Sequence, residues 1–345
     1  MRTRPGVPEA PLKPKSERTY ALLAPAIPSE APEGGGAGTA GIQIPSFSVG
    51  VCAADRMDDP VGFIRSILKE SAHSPAVMRE LVVVASGVQG PTLSRLEQAS
   101  ELDERVKLLV ESKRRGKAEA INRILSSVSG EYIVFVNADA TPEPGAMASL
   151  LRLVSSSPTN GAVSALPVPE TSGGVASLLT RFMWSAHNEC SIYLNHLGVA
   201  NHSSDELVVF RASATTPLPA GLVNDGAYMA GVAKRRGYKV KVCPSAKVRV
   251  RTPSRLVDVI LQRRRILFGH AQVWRKVGAP PMTIESMLVL SPLASIHVLA
   301  RSLSKDSRFL LVLPLAGVGE AFAAALSFVD TLRSTTAHEV WRRFA

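Results

Sequence analysis

The sequence predicts an α/β protein built on a mostly parallel sheet flanked by helices, and three observations carry that expectation. Short runs rich in Val and Ile recur from Phe47 onward without strict polar alternation, as strands buried on both faces require. Amphipathic segments of helical length separate these runs, and strand–helix–strand alternation gives parallel pairing through right-handed crossovers. Three runs end in small polar or acidic groups: "AAD" at 53–55, "SG" at 86–87 and "NAD" at 137–139. Ligands of doubly wound sheets lie beyond the carboxyl ends of the strands, so the topology brings these loops to one crevice.

The elements follow in order. Residues 1–44 carry recurring prolines and "EGGGAGTAG", which predict a flexible leader. Basic residues near its start are not followed by an uninterrupted apolar core, so it does not read as a signal peptide. "FSVGVCAA" (47–54), "ELVVVAS" (80–86), "VKLLVES" (106–112) and "YIVFVNA" (132–138) read as strands, with helices over 60–71, 91–99 and 117–127. After about residue 160 the pattern loosens. A long helix is expected over 174–198, a strand over 205–213 and a helix over 224–237. "YKVKVCP" and "AKVRVR" then read as two strands, followed by a basic helix from Arg255 to Gly278. Two apolar stretches close the chain, at 286–300 and 309–329. The second meets the usual ~20-residue criterion for a membrane span, although it contains Pro314 and Glu320. An ionisable residue at mid-membrane is costly unless paired, so an interfacial or re-entrant hairpin is preferred over a spanning helix. Packing of these helices on the body of the protein is the plainer alternative. The expected organisation is therefore a leader (1–44), an α/β domain (45–280) and C-terminal apolar helices at a membrane (281–345).

Composition narrows the function. Hydrophobic residues make up 46% of the 345 and charged residues 20%; the mean hydropathy of +0.12 is high for a soluble enzyme. The net charge of +11 suits phosphate-bearing ligands, anionic lipid or nucleic acid. Nucleic acid is disfavoured, because aromatic content is 5% and no reading motif or stacking platform appears. Cys52, Cys190 and Cys243 are scattered, with no C-x-x-C pair, which argues against a zinc site and a disulfide framework and for a reducing compartment. From Lys234 to Arg265 the only acid is Asp258, a bias that suits an anionic membrane surface.

Five stretches, in order and at spacing, resemble a family-2 glycosyltransferase with the GT-A nucleotide-diphospho-sugar transferase fold: "SVGVCAADR", "ELVVVASG", "RRGKAEAIN", "GEYIVFVNADATPEPGAM" and "NDGAYM" with "QRRRI". The resemblance covers residues 47–277 and is nearest to a subgroup with "VASG" in place of "VDDGS". It implies that Ala54, Asp55 and Ser86 lie at the nucleotide, that Asp139 holds Mg²⁺ or Mn²⁺, and that Asp225 is the general base. It further implies that Gln262 and Arg265 form the diphosphate-gripping Gln-x-x-Arg pair, with Ile266 in the place of the usual Trp.

The residues have their own chemistry beside that resemblance. Gly116 and Lys117 stand between a strand and the first turn of a helix, where backbone N–H groups and a cation suit a phosphate. Asn122 is read either as a clamp on a neighbouring loop or as a ligand contact. A diphosphate-bound Mg²⁺ or Mn²⁺ needs only one or two protein carboxylates, so Asp139 suffices where Asn137 stands in place of a first one; a turn-capping Asp139 is the plainer alternative. Asp225 reads equally as a helix N-cap or as a base. Asp205 and Glu206 form a second acidic pair, read as a solvated strand start in preference to a place near the acceptor, and Arg263 and Arg264 read as solvated or lipid-facing.

The expected function is inverting transfer of a sugar from a nucleotide-sugar donor to a lipid-linked or polysaccharide acceptor at the cytoplasmic face of the cell membrane. The alternatives are a nucleotidyltransferase on a related sheet and a non-catalytic membrane protein that binds sugar nucleotides.

Overall fold

The computed structural model describes residues 45–53, 57–170, 173–333 and 335–340. The expected leader and the two expected nucleotide contacts Ala54 and Asp55 lie outside the described residues.

Four strands, β1 (Ser46–Ala53), β2 (Val77–Ser86), β3 (Val106–Glu111) and β4 (Tyr132–Asn137), pair in parallel in the order β3-β2-β1-β4. Between them run α1 (Pro60–Ala72), α2 (Gly90–Ser100) and α3 (Lys117–Leu125). Their Val-rich character has a simple cause. Val49, Val51, Leu81 and Val83 face one apolar layer that includes Ile64, Ile67 and Leu96. Val82 and Val84 face a second, with Ile121 and Ile124. Both faces are dry, so neither can be polar, and each fully buried aliphatic side chain contributes roughly 1.5–3 kcal/mol.

The sheet continues through β7 (Leu207–Arg211), β6 (Asn160–Pro169), β8 (Lys239–Val250) and the short β5 (Ala140–Pro142), giving eight strands in the order β3-β2-β1-β4-β7-β6-β8-β5. β7 runs antiparallel to both β4 and β6, whereas β6 and β8 are parallel. The second half of the sheet is thus less regular than the first, which is where the sequence pattern loosened. The two expected strands "YKVKVCP" and "AKVRVR" are one 12-residue strand, β8. Its pairing with β6 slips between Val242 and Lys247, where Pro244, which has no N–H to donate, lies exposed.

Around this frame lie α4 (Ala146–Ser155), α5 (Val175–His196), α6 (Asp225–Arg235) and α7 (Leu256–Val277). Three further helices close the chain: α8 (Ile284–Leu290), α9 (Pro292–Leu303) and α10 (Phe309–Leu332). α10 packs on α7 and α5, with Phe309 and Val312 against Leu179, Phe182 and Val259. Its ionisable residues point the same way: Glu320 accepts from Arg263 of α7, and Asp330 pairs with Arg264 at 2.5 Å. The expectation that Arg263 and Arg264 are solvated or lipid-facing is therefore wrong. Neutralisation of the two carboxylates of an apolar helix offsets what their burial would otherwise cost. The outward face carries Leu311, Val318, Phe322 and Phe328, all more than half exposed. Among the described residues α10 is the one helix long and apolar enough, by length and composition, to cross a membrane. All three cysteines are free.

Candidate active site

The carboxyl ends of β1, β2 and β4 open on a cavity of about 520 Å³ that also receives the start of α3, the start of α6 and the middle of α7. Ser86, Lys117, Asn137, Asp139, Asp225, Gln262 and Arg265 all line it. Seven positions spread over 180 residues of chain are thus gathered at one place.

Lys117 stands at the first position of α3, after Gly116 at φ 105°, a backbone angle that glycine adopts without strain. Its Nζ lies 2.6 Å from Asp205 Oδ2 and 3.1 Å from Asp225 Oδ2. Burial opposes the lysine's charge, but the two carboxylates win and hold its pKa above the ordinary value. Lys117 therefore bridges two acids at the wall of the cavity. Its partners separate. Burial raises Asp225 above the usual carboxylate range, against the pull of Lys117; the half-buried Asp205 is partly desolvated too, yet Lys117 overrides this and draws it below that range.

Asp225 is not the cap of its helix. Asn224 is: its side chain accepts the Ala227 N–H at 3.2 Å, which satisfies one of the open donors at the helix start. The Asp225 carboxylate is thereby left for Lys117 and the cavity. Beside it, Glu206 is pushed up to about 8 by burial and by the neighbouring charge of Asp205, while Ser204 donates to it. Asp205 and Glu206 both line the cavity, so the expectation of a solvated strand start fails. They precede β7, which is antiparallel to β4, and that reversal returns them to the carboxyl end of β4, where Glu206 O accepts the Asn137 N–H at 3.0 Å. Nothing in the local sequence announces an antiparallel insertion of this kind.

The remaining residues divide by what they touch. Ser86 is buried and its hydroxyl donates to Glu111 at 2.5 Å, tying the ends of β2 and β3 together. Asn122 holds a loop through both its amide atoms, donating to Leu218 O at 2.9 Å and accepting from Leu218 N at 2.7 Å; this is the clamp the sequence offered as one reading. Arg265 donates to His338 O at 3.3 Å and Val223 O at 3.4 Å, and burial lowers its pKa. Glu339, in the segment after α10, also lines the cavity, as do Arg114, Arg251 and Trp184, none of which the sequence singled out.

Among the described residues no cluster of three His, Cys, Asp or Glu could hold a metal ion. The chemistry of the donor set decides what fits. A single carboxylate, Asp139, with the neutral Asn137 beside it, suits a hard cation that takes most of its oxygen ligands from a diphosphate and water. It does not suit one held by protein alone.

Fold and crevice together define a GT-A nucleotide-sugar transferase. The chain belongs to the glycosyltransferase-like family 2, whose sequence profile matches residues 45–269; it is a family 2 glycosyltransferase. Among solved structures it is similar to a mannosyltransferase from Pyrobaculum calidifontis in complex with GDP-Man and Mn²⁺. That likeness has a TM-score of 0.59 at 20% identity and covers 92% of this chain and 94% of the other. A mycobacterial protein aligns with a TM-score of 0.45 at 20% identity, over 68% of this chain and 76% of its own. No curated protein matches the chain.

Proposed function

We propose that the protein moves a sugar from a nucleotide-sugar donor to a lipid-linked or glycan acceptor at the cytoplasmic face of a membrane, with inversion at the anomeric carbon. The observation that carries this reading is the convergence of Asp139, Asp225 and Arg265 on one cavity at the strand ends. Bound Mg²⁺ or Mn²⁺ would neutralise the departing diphosphate, and Asp139 is the residue that would hold it. Arg265 presents a planar fork suited to phosphate oxygens, and Gln262, one helical turn before it, lines the same wall. Asp225 takes the proton from the acceptor hydroxyl. Its burial raises its affinity for that proton, as a general base requires. Ser86, Asn137, Ala54 and Asp55 are assigned to the nucleotide. The Mn²⁺ complex of the Pyrobaculum mannosyltransferase supports metal assistance, and GDP-mannose is the first donor to try. The apolar outward faces of α8 to α10, with Val289, Leu293 and Leu311 at 78–83% exposure, support residence at a lipid surface.

Calorimetric titration of nucleoside diphosphates with and without Mn²⁺ tests the reading. Metal-dependent binding is expected in the wild type and is expected to vanish in Asp139→Ala. Asp225→Asn should keep donor binding and lose turnover by about 10²–10⁴-fold, the usual worth of a general base. Full turnover in that variant would remove Asp225 from the mechanism. A protein that binds diphosphates but transfers nothing to any acceptor would be the non-catalytic sugar-nucleotide binder instead.

A further inference from the structure

A second cavity of about 340 Å³ lies between α5, α7, α8 and α10. It adjoins the first, sharing Trp184, Asp205, Glu206, Gln262 and Ile266 with it. Away from that junction its wall is largely apolar, with Phe182, Met183, Val259, Leu299 and Leu313. It reaches Leu288 of α8, which is 49% exposed. A chain of CH₂ groups entering there would leave water for an apolar channel, worth about 0.8 kcal/mol for each group buried, and its head would arrive at the catalytic carboxylates.

The charges of this cavity restrict that head. Arg263 is the only Lys or Arg among the described residues lining it, and it is already engaged by two carboxylates, Glu285 and Glu320. His187, His202 and His270 stack edge to face, with ring centroids 5.7 and 5.4 Å apart, and burial drives their pKa values down to about 3 to 4, leaving them neutral. Among the described residues the junction itself holds two acids and no base, and Lys117 just beyond it is balanced by Asp205 and Asp225. A phosphate head at that junction would meet the two carboxylates, and uncompensated burial of charge is costly. A phosphate nucleophile would also have no use for a general base, because its oxygen arrives ionised; a hydroxyl needs one. Trp184 at the junction offers an aromatic face of the kind that packs on the apolar side of a neutral head.

Resting on the transferase reading above, we infer that the second cavity is the acceptor site and that it takes an uncharged hydroxyl carried on an apolar chain, not a lipid phosphate. The hydroxyl loses its proton to the Asp225 carboxylate as its oxygen bonds to the anomeric carbon, and the nucleoside diphosphate leaves with the electron pair of the broken C–O bond. The hydroxyl belongs either to the sugar head of a glycolipid or to a long-chain alcohol.

The test uses the full chain and three probes with the same diazirine-bearing alkyl chain, ending in a glucoside, an alcohol or a phosphate. After photolysis the labelled peptides are mapped by mass spectrometry. The glucoside or the alcohol is expected to label the 175–196 and 256–277 segments at least tenfold more than the phosphate, and whichever of the two labels better identifies the source of the hydroxyl. Gly317 lines the cavity, and a Cβ built on it meets nothing within 4 Å. Gly317→Phe should therefore fold, cut labelling severalfold and leave nucleoside diphosphate binding unchanged. Equal or stronger labelling by the phosphate, labelling indifferent to Gly317→Phe, or no labelling of these segments by any probe overturns the inference. Diphosphate titration on the same samples separates the two failures. Labelling lost while diphosphate binds sinks the acceptor site alone, whereas absence of diphosphate binding sinks the transferase reading.

Discussion

Lys117, Asp205 and Asp225 share one positive charge between two carboxylates, and the consequence is chemical division of labour. The acid that Lys117 holds more firmly stays ionised; the other, raised by burial, keeps appetite for a proton. The pH dependence follows. With Asp225 as the proposed base, turnover requires its ionised form, so kcat/KM should fall as pH drops through a midpoint above that of an ordinary aspartate, measurable as the acid limb of a pH–rate profile. Glu206 has the opposite bearing on stability. Its folded pKa of about 8 lies above its ordinary 4.5, so the folded state keeps a proton that the unfolded chain releases as pH rises between those values. That stabilisation is complete below 4.5 and is lost on passing to about 8. Melting curves of wild type and Glu206→Gln should diverge in the variant's favour across that window and run parallel above it.

At the scale of elements, the first four strands were legible because both of their faces are buried and the Val-rich code for that condition is local. β6, "NGAVSALPVP", was not. It is buried along most of its length, yet Gly, Ala, Ser and Pro give it little strand character, and its place is set by β7 and β8 on either side. The candidate site divides in the same way. Asp139 sits in the turn directly after β4 and Lys117 at the start of the helix that follows β3, and both could be read from those positions. Asp205 and Glu206 reach the cavity only because β7 runs backwards, and Trp184 only because α5 crosses the strand ends, facts carried by tertiary structure. The basic stretch from Lys234 to Arg265 also changed meaning. Lys234, Arg235 and Arg236 donate to the carbonyls of Gly198, Val277 and Thr215, and Arg263 and Arg264 are held by α10. Charge that composition offered to a membrane is in large part spent inside the molecule.

At the scale of the whole molecule, the proposed residence at a lipid surface would therefore rest chiefly on apolar side chains. Flotation with lipid vesicles tests this directly. The full chain is expected to float, to do so in high salt as well as low, and to lose most of its association when Leu311, Val318 and Phe322 are changed together to Ser. Loss of binding on adding salt to the wild type would return the interaction to electrostatics. A truncation before α8 is the less informative experiment, because it would strip Glu285, Glu320 and Asp330 from Arg263 and Arg264 and leave two arginines without their partners.

Four successive residues of α7 face different tasks: Gln262 and Arg265 line the first cavity, Arg263 turns to Glu285 and Glu320, and Arg264 turns to Asp330. The helix thus works as a timing gear, whose phase matters as much as its composition. One alanine inserted between Ile260 and Leu261 would rotate everything after it by about 100° against everything before, so that the proposed donor grip and the helix attachment would go out of step together. The same insertion in the exposed turn at residues 101–104 should be absorbed. Nucleotide affinity and the melting point of the two insertion variants would show whether this stretch of the gene tolerates substitution far better than any change in length.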